Sequence, residues 1–86
     1  MSDSLLEFPC DFPLKVMGRE SAGFREMVVG LVEAHAGPVD AERLQLRHSR
    51  DGNFVSLTLW VHTESQSQLD AVYGALTAHE QVLMVL

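Results

Sequence analysis

The chain has 86 residues, of which 47% are hydrophobic and 21% charged, with 12 Asp and Glu against 6 Lys and Arg. That length allows one small domain and excludes a multidomain protein, a solenoid or a large enzyme, and the apolar content excludes an intrinsically disordered chain. A net charge of −6 repels phosphate backbones, so no nucleic-acid partner is expected.

Cys10 has no second cysteine to pair with, and no basic start followed by a continuous apolar stretch precedes it, so the reading places the protein in the reducing cytoplasm. No apolar run approaches the roughly 18–20 residues that cross a bilayer; the segment Val82 to Leu86 is the longest candidate, and no membrane partner is expected. Residues 1–11 read as an irregular N-terminal segment that Leu5, Leu6 and Phe8 tack onto the domain, and residues 12–86 as a single domain.

From Phe12 to Met17 the sequence alternates, which predicts a first strand closed by Gly18. Ser21 stands where a helix N-cap belongs, followed by a stripe of Phe24, Val28, Leu31, Val32 and His35 that ends at Gly37-Pro38. Gly30 lies inside this helix, where a glycine often marks close packing. Glu42 to Ser49 alternates again, Arg50-Asp51-Gly52-Asn53 supplies turn chemistry, and Phe54 to His62 returns as the third strand. Ser65 with Gln68 forms a capping-box pattern before a second helix whose stripe is Leu69, Val72, Tyr73 and Leu76. Gln81 to Val85 closes the chain as a short strand.

The order βαββαβ predicts an α+β, ferredoxin-like sandwich: a four-stranded antiparallel sheet with two helices on one face. Its first and third strands are central. Phe12, Leu14, Val16, Leu44, Leu46, Val55, Leu57, Leu59, Val61, Val82 and Met84 are expected to face the helices. The other sheet face then shows Met17, Trp60, Leu83 and Val85 beside Lys15, Thr58 and His62. An uncovered face with that much apolar surface predicts an interaction surface at Met17, Trp60, His62, Leu83 and Val85, occupied by a second copy in a homodimer or by another protein.

Catalytic and metal chemistry find little support. The histidines His35, His48, His62 and His79 are too scattered for a metal motif, and His35 reads as packed and hydrogen-bonded within the first helix stripe. Cys10 beside Asp11 is a poor nucleophile, and no serine has a nucleophile-elbow context. No catalytic residue, metal or cofactor is therefore expected. Arg43, Arg47 and Arg50 with Phe54 and Trp60 invite comparison with an RNA-recognition sheet. The stretch from Asp51 to Leu57 keeps only the Phe54-Val55 step of that motif, so the arginines read as protection of an edge strand.

Leu5-Leu6-Glu7-Phe8-Pro9, Phe12, Lys15-Val16-Met17-Gly18, Gly52-Asn53-Phe54 and Val82-Leu83-Met84-Val85-Leu86 resemble the YbeD-like family of small uncharacterised bacterial proteins, over nearly the whole chain from Leu5 onward. The resemblance implies a ferredoxin-like sandwich similar to ACT-type regulatory domains, and no catalytic residue. Together with the outer face of Met17, Trp60, Leu83 and Val85, the fold points to a small non-catalytic regulatory or protein-interaction module that self-associates. Its alternative is a sensor of a small carboxylate or amino acid, with a link to lipoate metabolism. ACT-type domains bind ligands near the loop after the first strand, which here places a candidate site at Gly18, Arg19 and Ser21, with Gly18 allowing close approach and helix amides holding a carboxylate.

Overall fold

In the computed structural model, which describes residues 7–86, the elements run β1 (Cys10–Arg19), α1 (Phe24–Ala36), β2 (Gln45–His48), β3 (Phe54–Thr63), α2 (Gln66–Thr77) and β4 (Val82–Val85). The expected tacking by Leu5 and Leu6 lies outside the described residues. The strands form one antiparallel sheet in the order β2-β3-β1-β4, so the first and third strands are central as the sandwich requires.

β1 and β3 pair over their full lengths, from Cys10 opposite Thr63 to Arg19 opposite Phe54. Period-two alternation aims Leu14 and Val16 at the same side as Val55, Leu57, Leu59 and Val61. There they meet Phe24, Val28 and Val32 of α1 and Val72 and Leu76 of α2 in one closed apolar cluster. Burying these branched and aromatic side chains, at roughly 1.5–3 kcal/mol each, is what offsets the ordering of so short a chain.

Several sequence expectations need correction. α1 is not capped by Ser21: its N-cap is Gly23 at φ 87°, a left-handed position, with no side-chain hydrogen bond. His35 is exposed, because the buried stripe repeats as Phe24, Val28 and Val32 and is spent one turn earlier. The second strand is only four residues long. Asp40 accepts a hydrogen bond from the Glu42 amide at 3.0 Å and folds Ala41–Arg43 into a single 3-10 turn instead. Leu44 packs at the edge of the core, but Leu46 remains 41% exposed on an outermost strand that the helices do not cover.

The capping reading of α2 holds. Ser65 Oγ accepts from the Gln68 amide at 3.2 Å, and the Gln68 side chain accepts from the Glu64 amide while donating to the His35 carbonyl. The β2–β3 turn is also chemically determined. Asp51 accepts from the Ser49 hydroxyl at 2.7 Å and the Asn53 amide at 3.0 Å, holding its carboxyl below the ordinary carboxylate range.

Candidate functional site: the open face of the sheet

Both helices lie on one side, so the other side of the sheet has no layer over it among the described residues. Register assigns its occupants: a residue paired with one of the outward β3 positions Phe54, Ser56, Thr58, Trp60 or His62 shares their face. From β1 these are Asp11, Pro13, Lys15, Met17 and Arg19, and from β2 Gln45 and Arg47. Met17, Trp60 and His62 thus stand where the sequence placed them.

The expected roles of the β4 residues are partly reversed. Register slips between Met17 and Gly18: Met17 pairs with Met84, but Gly18 pairs with Val82, so β4 carries one extra residue. A one-residue bulge inverts the alternation beyond it. Val85, opposite the buried Val16, packs on the core, and Met84 takes the outward place expected of it. Leu83, the extra residue, is 55% exposed at the bulge. Leu86 exchanges both backbone hydrogen bonds with Lys15, at 2.8 and 3.0 Å, which adds a further apolar side chain opposite an outward residue.

The open face is cationic as well as apolar. The Arg43 guanidinium lies 4.1 Å from the centroid of the Trp60 ring and 3.6 Å from the Asp11 carboxylate, while Arg19 stands 5.7 Å from the centroid of Phe54. With Lys15 and Arg47, this face gathers four of the six Lys and Arg of the chain. Beside Phe54 the small side chain of Ser56 leaves a depression with Met17, Arg47 and His48, about 230 Å³ in volume and mainly apolar. Alternation puts Arg43, Arg47 and Phe54 on this face although the expected interaction surface does not include them, and Met84 was expected on the other. The parity of Arg47 relative to Ser56 was available once the hairpin register was fixed, whereas the reach of Arg43 over Trp60 depends on the 3-10 turn.

His62 closes one end of the face. Its Nδ1 lies 2.9 Å from Asp11 and its Nε2 2.8 Å from Glu64, and these hydrogen bonds, Asp11 first, raise its pKa above the ordinary value. Among the described residues no group of three His, Cys, Asp or Glu is placed to hold a metal ion.

The second candidate site is only partly assembled. Arg19 and Ser21 line a depression of about 310 Å³ with Glu80, Gln81 and Leu83, and the buried Ser21 Oγ has no hydrogen-bond partner among the described residues. Gly18 is not part of it. The space beside its Cα is taken by the Phe24 ring and the Gln81 carbonyl, so the close approach that glycine permits here serves packing.

A family profile described as "Protein of unknown function (DUF493)" matches residues 3–86. A UPF0250 protein of Paraburkholderia phytofirmans is 45% identical over 86 residues, covering 100% of this chain and 97% of that one. A UPF0250 protein of Neisseria meningitidis serogroup A is 47% identical over 83 residues, covering 96% and 91%. Among solved structures, protein HP0495 from H. pylori superposes with a TM-score of 0.78 at 15% identity, over 98% of this chain and 88% of that one. The ACT domain from GTP pyrophosphokinase of Chlorobium tepidum gives 0.68 at 16%, over 90% and 97%. The ferredoxin-like architecture is therefore shared with an ACT domain, and the chain belongs to the DUF493/UPF0250 family, the YbeD-like family of small bacterial proteins that its motifs resemble.

Proposed function

We propose that this protein is a non-catalytic interaction module that docks a protein partner on its open sheet face. The observation that carries this reading is the juxtaposition there of Met17, Phe54, Trp60 and Met84 with exposed cations, on a face without a covering layer among the described residues. A photo-crosslinking amino acid replacing Ser56 should yield covalent protein adducts in the producing cell, whereas the same group replacing the exposed helix residues Ala34 or Ala71 should not. Adducts from the helix positions alone would remove the proposal.

Self-association through this face is the weaker form of the reading. A twofold axis would set Lys15, Arg19, Arg43 and Arg47 of one copy against the same cations of the other. The second reading, a sensor of a small carboxylate or amino acid, draws on the unpaired Ser21 hydroxyl next to Arg19. Calorimetric titration with amino acids and short carboxylic acids tests it: binding abolished by Ser21→Ala supports it, and no heat with any of them ends it.

A further inference from the structure

We infer that the occupant of the open face is an acidic, extended segment of another protein, which seats an apolar side chain in the depression between Met17 and Ser56. This rests on the docking role proposed above and names the chemistry of the partner.

The charge of the molecule is sorted by face. Lys15, Arg19, Arg43 and Arg47 share the open face with Asp11, while Glu64 and Glu20 border it through their hydrogen bonds to His62 and His48. The opposite layer and its connections hold Glu26, Glu33, Asp40, Glu42 and Asp70. A protein of net charge −6 that collects its few cations on one surface has a local field opposite in sign to its overall field. Lys15, Arg19 and Arg47 also make no ion pair among the described residues, so their charge is left for a partner.

The geometry selects carboxylates carried on a protein. Arg43 lies over Trp60 with one of its nitrogens 3.6 Å from Asp11, and a guanidinium held in this way keeps further N–H donors with which to bind a second carboxylate. Arg47 and Met17 flank the apolar depression, so one side chain seated there brings neighbouring carboxylates of an extended segment to Arg43 on one side and Arg19 on the other. A nucleic acid fits less well. The rings of Trp60 and Phe54 already carry guanidinium groups where bases would stack, and the rest of the molecule repels a polyphosphate.

The test is selection of random peptides displayed on phage against the full chain, followed by fluorescence anisotropy with the selected peptides synthesised and labelled. Peptides with Asp or Glu on both sides of an apolar residue should emerge. Their affinity should fall roughly ten- to hundredfold with Arg43→Gln plus Arg47→Gln, the loss expected for charge-assisted hydrogen bonds, and stay unchanged with Arg25→Gln or Arg50→Gln. Arg47→Gln alone, at a residue without an internal ion pair, should weaken binding while leaving the unfolding temperature in place. Neutral or basic peptides that lose binding with Ser56→Trp, which fills the depression without changing charge, would overturn the acidic occupant and leave the docking role standing. If no selected peptide responds to Ser56→Trp, both fall. Tighter binding of labelled oligouridine than of any peptide, or self-association by sedimentation that Thr58→Arg abolishes, would also overturn the inference, in favour of nucleic acid or a second copy respectively.

Discussion

The ring of Phe24 rests against Gly18 where any other residue would carry its Cβ, so the first residue of α1 and the penultimate residue of β1 are fitted to each other. The backbone carbonyl of Gln81 closes the same space from β4's approach. Gly18→Ala must displace an aromatic ring and a strand together. It should destabilise the protein by about 1–3 kcal/mol, the usual cost of overpacking a core, read as a lower urea midpoint at unchanged m-value. An unaltered midpoint would show that the contact yields freely.

The two helix starts make opposite predictions for the same substitution. Ser65→Ala removes a hydroxyl that accepts from the Gln68 amide, and should cost about 1 kcal/mol. Ser21→Ala removes a buried hydroxyl that has no partner among the described residues, and should leave stability unchanged or raise it. Thermal unfolding of the two variants side by side distinguishes these outcomes, and a comparable loss for both would reinstate Ser21 as a cap.

Gly30 and Gly74 lie inside helices, and a Cβ built on either meets nothing within 4 Å. The suspicion of close packing at Gly30 is thus not supported, since that position opens on a groove lined by Val29, Val39 and Leu44. Alanine at either site should stabilise by roughly 0.5–1 kcal/mol through a less flexible unfolded chain and better helix propensity. Denaturant titration checks it, and destabilisation at Gly30 would reveal a contact in that groove.

The fold was legible because its strongest patterns were local. Val55, Leu57, Leu59 and Val61 alternate without interruption, and one such strand fixes the faces of its partners by register. Phase errors arose where a local pattern was broken by a long-range fit. Val85 and Met84 exchanged faces because a single extra residue accommodates the junction at Gly18, which no period in β4 records. The open face was legible residue by residue, in Met17, Trp60 and Lys15, but not in the gathering of its charge. Lys15, Arg19, Arg43 and Arg47 come from three segments, and only the sheet brings them together. Arg43 was read as part of a strand, and it is the 3-10 turn that swings its guanidinium over Trp60.

Histidine 62 provides a pH-dependent test of how the rim of this face is held. Asp11 and Glu64 accept hydrogen bonds from its two ring nitrogens when it is protonated, raising the folded-state pKa above the ordinary 6.5. A raised pKa means that the folded state binds this proton more tightly than the unfolded chain. Its contribution is therefore complete below the unfolded pKa and is lost as pH rises through the folded one. The imidazole resonances of His62 should titrate with a midpoint above 6.5, and Asp11→Asn should bring that midpoint down. The unfolding temperature of the wild-type protein should carry a downward component across the same interval that His62→Gln removes. A midpoint unmoved by Asp11→Asn would show that the carboxylate at the start of β1 does not hold the ring.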